Sequence, residues 1–196
     1  MNIENINPHG SYVHKAHFKF DWNVLRHVCK NLVDTTKYEV YLVENGKSSV
    51  TSNRQPHKMP EFKSYYDWLN TVIKEIAIEK YGYHKYFKYK VGNSWVNYHS
   101  NDGKTLEHNH PNAFLVVAAY LNMPDGGGYI EFKDPLEYPK SMHEHTDGKT
   151  WFWGEVPAVT GDVLIFPGWL KHRTQLNKSD SKRWVLTTNI LQITER

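Results

Sequence analysis

The sequence predicts a mainly β chain with flanking helices, and three observations carry this. Apolar runs such as Ala113 to Leu121 and Val163 to Phe166 are short, nearly continuous and rich in β-branched or aromatic residues, as strands buried on both faces are. Turn-forming clusters punctuate the chain at short intervals: Asn45-Gly46, Asn101-Asp102-Gly103, Gly126-Gly127-Gly128 and Thr160-Gly161-Asp162. Only residues 22–34 and 61–80 carry an apolar stripe of helical period.

The composition is ordinary for a globular chain. A length of 196 residues suits a single domain, with N-terminal strands and outer helices over 1–82 and a β core carrying the site over 83–196. A net charge of +3 neither demands nor excludes nucleic acid. The single cysteine, Cys29, rules out an internal disulfide framework and suits a reducing cytoplasm. No apolar run reaches the roughly 18 residues of a membrane span, and the N-terminus carries no signal-like apolar core. The sequence leaves a homodimer as open as a monomer.

Residues 1–16 read as an irregular lead-in, and Ala16 to Phe20 as a short strand. Asp21 can cap a helix over 22–34, where Trp22, Leu25, Val28, Cys29 and Leu32 share a face. Tyr38 to Val43 reads as a strand closed by a turn at Asn45-Gly46. Glu61 to Lys80 is the clearest helix, with Phe62, Tyr65, Leu69, Val72, Ile73 and Ile76 in one stripe and Gly82 as its stop. Two strands around Gly92 follow, Tyr83 to Val91 and Asn93 to His99. On the second, Trp95, Asn97 and His99 share one face, Val96 and Tyr98 the other.

After the turn at 101–103 comes Glu107-His108-Asn109-His110-Pro111. On an extended backbone His108 and His110 point the same way and can take neighbouring positions on one metal ion, while Glu107 points opposite. A strand follows to Leu121, then a glycine turn and a strand at Tyr129 to Phe132. Lys133 to Lys149 is polar and carries a second pair, His143-Glu144-His145, in loop composition, which makes it the weaker metal candidate. Strands are expected at 149–156, into and out of Phe166-Pro167-Gly168-Trp169-Leu170-Lys171-His172, and from Arg183 to Ile193.

Taken together, His108-Asn109-His110-Pro111, Ala119-Tyr120-Leu121-Asn122, Gly127-Gly128, His172 and Arg183 resemble, in order and spacing, the iron(II)/2-oxoglutarate-dependent oxygenases, above all their prolyl-hydroxylase branch. The resemblance spans roughly 83–193. It implies a double-stranded β-helix (jelly roll, cupin-like) and an enzyme that uses oxygen and 2-oxoglutarate, usually to hydroxylate a C–H bond. His108, His110 and His172 would hold the iron(II). In the family the second of these is usually a carboxylate, and His110 departs from that; an open iron site nonetheless needs only three protein ligands on one side. Arg183 would offer its planar fork to the far carboxylate of 2-oxoglutarate, with Tyr120, Tyr98 and Thr187 assisting. With Tyr98 facing the co-substrate, His99 would face away. The primary substrate is open between a protein side chain, a metabolite and a nucleobase.

Two alternatives stand beside this reading. Gly161, Pro167-Gly168, His172 and Asn177 also resemble a cupin motif, which would give a metalloenzyme that does not use 2-oxoglutarate, although Phe114-Leu115 stands where cupins carry glutamate. A non-catalytic jelly-roll binding module with incidental histidines is the other.

Overall fold

The computed structural model describes residues 3–6, 13–81, 88–137 and 152–193. Among the described residues ten strands form two sheets. Strands β1 (Glu4–Ile6), β2 (Val13–His17), β3 (Val43–Ser48), β4 (Lys88–Thr105), β5 (Leu115–Asn122), β8 (Asp162–Pro167) and β10 (Arg183–Ile193) make the larger one, in the order β1-β2-β8-β5-β10-β4-β3. Strands β6 (Ile130–Lys133), β7 (Trp153–Val156) and β9 (His172–Thr174) make the smaller one, in the order β7-β6-β9. Every pairing is antiparallel. The fold is the double-stranded β-helix expected from the sequence.

Two helices cover the outer face of the larger sheet. Helix α1 (Trp22–Asp34) starts where expected: the Asp21 carboxylate accepts from the Val24 amide at 3.3 Å. Helix α2 (Lys63–Glu75) buries Tyr65, Leu69, Val72 and Ile73 and continues as a wider π turn over Ile76–Lys80. The expected stop at Gly82 and the pair His143-Glu144-His145 lie outside the described residues.

Alternation along the central strands explains their continuous apolar runs. On β5, Leu115, Val117, Ala119 and Leu121 enter the core beneath the helices, whereas Val116, Ala118 and Tyr120 enter the core between the sheets. Strand β8 divides likewise, with Val163 and Ile165 outward and Leu164 and Phe166 inward. A strand covered on both faces has no polar side to show. The inner face is therefore lined from the larger sheet and roofed by the smaller one.

Several expectations need correction, among them the turn at Asn101-Asp102-Gly103, which lies within β4 with Asp102 at φ 58°. Residues 38–42 are not a strand, and Asn45-Gly46 is not a hairpin turn: β3 runs through it as a bulge, with Asn45 at φ 44° and the register shifting between Glu44 and Gly46. Gly92 likewise does not separate two strands. It is the extra residue of a bulge within β4, where Val91 and Asn93 face successive residues Ile190 and Asn189. A side chain there would meet Leu191 at 2.6 Å, so glycine lets the two strands stay paired. Finally, the lead-in is not wholly irregular, since β1 and β2 extend the sheet beyond β8.

Candidate metal centre

His108, His110 and His172 come together between the sheets, each offering a ligand nitrogen, and these atoms lie within 4.8 Å of one another. Their ring centroids are 4.3, 5.1 and 5.3 Å apart. His172 opens β9. His108 and His110 belong to no strand; they sit on the connection between β4 and β5, and an isolated bridge ties His108 to His172 through paired bonds of 3.0 and 2.9 Å. The extended geometry inferred for His-x-His is thus kept by one bridge rather than by a sheet.

The turn after β8 holds the second histidine. The His110 amide donates to Gly168 O at 2.8 Å, and the Gly168 amide donates to Phe114 O at 3.2 Å. A β-carbon on Gly168 would lie 2.0 Å from Ala113 O and 2.7 Å from His110 O, which explains the glycine in Phe166-Pro167-Gly168.

The three rings share one tautomer. His108 Nδ1 lies 2.8 Å from Leu106 O, and His172 Nδ1 lies 2.9 Å from Leu170 O. A carbonyl oxygen only accepts, so each Nδ1 carries the proton and each Nε2 is bare. His110 Nδ1 donates to the side chain of Asn189 at 2.7 Å and does the same. Trp95 stacks on His110 at 5.8 Å and 14°, and Phe166 meets His172 edge-on at 4.8 Å. Burial pushes all three imidazoles towards neutrality: His110 is lowered to about 4, His172 well below the usual range, and His108 in the same direction. Three neutral nitrogens converging from one side suit a divalent transition metal. Glu107 is turned away, paired with Lys171 at 3.4 Å and Lys133 at 3.7 Å.

A cavity of about 330 Å³ adjoins the histidines. Tyr120 and Thr187 line it. So do Asn93, Trp95, Asn97 and His99 of β4. Tyr98 does not: it lies in the helix-side core, its ring 4.9 Å from Trp184 and beneath Lys182 Nζ at 3.9 Å. The face of β4 turned to the cavity is the one opposite to that assigned through Tyr98. Val40, Leu42 and Val43 form an apolar side of the cavity, so residues before 83 contribute directly to it.

Arg183 lies behind the cavity wall and is fully buried. Its Nη1 donates to the carbonyls of Gly127, Gly128 and Gln175, and its Nη2 to Thr174 Oγ1 at 2.8 Å. The paired glycines thus cradle the guanidinium. Gly128 stands at φ 74°, and a β-carbon there would lie 2.4 Å from Leu176 O and 3.1 Å from Arg183 Nη1. Among the described residues no carboxylate pairs with Arg183. Burial lowers its pKa to about 10, partly offset by Tyr120. Burial raises the Tyr120 hydroxyl to about 12, so it stays a donor.

Thr174 is a residue that sequence reasoning missed. Its Oγ1 accepts from both Arg183 Nη2 and the Thr105 amide, each at 2.8 Å. Its own proton is then free to point elsewhere, and Thr174 lines the cavity. The signal was present: Thr174 lies two residues after His172 on an extended strand and so shares its face.

A family model for 2OG-Fe(II) oxygenases matches residues 93–189. The comparison with curated proteins finds no match. Among solved structures, the fold resembles the non-heme α-ketoglutarate-dependent carbocyclase SnoK from nogalamycin biosynthesis at TM-score 0.63 and 16% identity, covering 91% of this chain and 79% of that one. It resembles a Pseudomonas putida prolyl-4-hydroxylase at 0.61 and 12%, covering 94% and 95%. It resembles HygX from Streptomyces hygroscopicus, with nickel, 2-oxoglutarate and hygromycin B bound, at 0.62 and 11%, covering 94% and 83%. At these identities the likeness establishes the fold.

Proposed function

Because the chain belongs to the iron(II)/2-oxoglutarate-dependent oxygenase superfamily, we propose that His108, His110 and His172 hold the iron and that Arg183, Tyr120 and Thr187, with Thr174, hold the far carboxylate of 2-oxoglutarate. The activity is that of an iron(II)- and 2-oxoglutarate-dependent dioxygenase. When bound, iron, 2-oxoglutarate and oxygen supply the oxidising chemistry, in which 2-oxoglutarate leaves as succinate and carbon dioxide. Hydroxylation of a C–H bond is the outcome we favour for the primary substrate.

One observation carries the assignment of the anchor. A buried guanidinium with no carboxylate partner is costly, because hydrogen bonds to neutral acceptors compensate only part of the hydration its charge has lost. Arg183 is in that state beside a cavity that begins at three metal-ready histidines. A dicarboxylate reaching from the metal to this end would supply the missing negative charge. Tyr120 stays protonated and so can donate to that carboxylate, and the free protons of Thr174 and Thr187 can add to it. Tyr98 is dropped from the co-substrate set.

The remaining residues shape access. Val40, Leu42 and Val43 would present an apolar side to a substrate, while Asn93 and Asn97 would offer polar contacts. Residues 1–82 and 83–196 would therefore act as one domain. A single buried free cysteine suits a reducing compartment, and we place the protein in the cytoplasm.

The test is turnover of 2-oxoglutarate to succinate by purified protein with iron(II) in air, beside Arg183→Leu. The wild type should form succinate at saturating co-substrate, and Arg183→Leu should need at least tenfold more 2-oxoglutarate for the same rate. Equal co-substrate dependence in both proteins would remove Arg183 from the site.

A further inference from the structure

Arg183 and His99 are direct partners across the β10–β4 ladder. Side chains opposite each other in an antiparallel pair have β-carbons about 5 Å apart. Both residues are buried, at 0% and 1% exposure. Among the described residues each has one polar atom without a partner, Nε of Arg183 and Nδ1 of His99. One is an obligate donor. The other is an acceptor whenever the histidine is neutral with its proton on Nε2. Buried orphans are rare, and here a donor and an acceptor stand on neighbouring residues.

The other ring nitrogen sets the tautomer. His99 Nε2 lies 2.8 Å from Thr105 Oγ1 and can donate to it. The Thr105 amide donates to Thr174 Oγ1, which also accepts from Arg183 Nη2. The chain of contacts runs from Arg183 through Thr174 and Thr105 to His99, and only the link between His99 and Arg183 is open. Burial and the adjacent guanidinium hold the imidazole neutral, since two cations side by side in this interior would repel.

We propose that His99 is a positioning residue for Arg183: its bare Nδ1 accepts a hydrogen bond from Arg183 Nε and fixes the guanidinium plane when the cavity is filled. Nη1 is already bound to three carbonyls and one Nη2 proton to Thr174. With Nε held by His99, one Nη2 proton is left for an incoming carboxylate, and its direction is set. The inference rests on the reading of Arg183 as the 2-oxoglutarate anchor. It gives His99 an effect on co-substrate affinity that is separate from metal binding, because His99 touches none of the three metal-site histidines.

The experiment is calorimetric titration of 2-oxoglutarate into the iron(II)-loaded protein without oxygen, with iron affinity and melting temperature measured in parallel. His99→Leu should weaken 2-oxoglutarate binding about tenfold and leave iron affinity unchanged. His99→Asn keeps an acceptor near the Nδ1 position and should recover most of the loss. Unchanged 2-oxoglutarate affinity in His99→Leu would overturn the proposal. So would an equal loss in both variants together with a lowered melting temperature, which would mark His99 as packing alone. Arg183→Leu separates the premise: if it too binds 2-oxoglutarate normally, the anchor assignment falls and the proposal with it. If it binds poorly while His99→Leu does not, only the positioning idea fails.

Discussion

In the proposed site His110 would stand where a carboxylate is usual, and its neighbours suit an imidazole. Asn189 can accept its Nδ1 proton at 2.7 Å, Trp95 lies parallel to its ring, and Gly168 O holds its amide. A divalent metal held by three neutral histidines would keep its full charge, to be balanced by the co-substrate and other bound ligands. The same burial that keeps these rings neutral recurs at His14 and His99, lowered to about 4 and about 3 from the usual 6.5. The sign follows from proton counting. Between pH 6.5 and about 4 the unfolded chain protonates these histidines and the folded chain does not, so acid favours unfolding. Their contribution is complete above pH 6.5 and is lost on descent towards pH 4. The urea midpoint of metal-free protein should therefore fall across that window. Among the described residues His14 has no hydrogen-bond partner on either ring nitrogen, so His14→Phe should flatten the fall by removing one titrating group. An identical pH profile for the variant would count against the assignment.

At the scale of elements, strands announce their alternation more readily than their orientation. The pattern of β4 separates Trp95, Asn97 and His99 from Val96 and Tyr98, and the structure keeps that division. Which set faces inward was not legible, because both faces carry an aromatic and neither is uniformly apolar; a one-residue slip exchanges them. Helix α1 and strands β5, β8 and β10 were legible because their apolar residues repeat over a whole element. The bulges at Asn45-Gly46 and Gly92 were not, since a glycine that permits close approach of another strand reads locally like one that permits a turn. The connection 106–114 was read as a strand end for a similar reason: two histidines on one side require extension, not a ladder. Its shape is held from the β8–β9 turn, which gives a direct test. Gly168→Ala places a methyl against Ala113 O and His110 O, and the connection must move. Iron affinity should fall by at least tenfold while the far-ultraviolet spectrum stays that of the wild type. Retained affinity would show that His110 does not depend on that turn.

The protein keeps a cation in its interior: Arg183 is buried and bonded to Thr174 of the wall of the cavity that adjoins its metal-ready histidines. Among the described residues Arg183 is bonded by neutral acceptors alone, carbonyls and the Thr174 hydroxyl, and a carboxylate entering the cavity would add the missing negative charge. Ligand binding to the folded state alone must then raise stability by mass action. At a concentration 100 times its dissociation constant, 2-oxoglutarate should stabilise the iron(II)-loaded protein by about 2.7 kcal/mol. For a chain of this size, each kcal/mol moves the melting temperature by about 2–4 °C, so the shift should be roughly 5–10 °C. The increment should be smaller without metal, where the keto acid end has no partner. In Arg183→Leu the same concentration should give little shift, because the carboxylate would enter a cavity with no cation behind its wall. An equal shift in Arg183→Leu and wild type would mean that the dicarboxylate is held at the metal end alone, and that the buried guanidinium serves only the glycine turn around it.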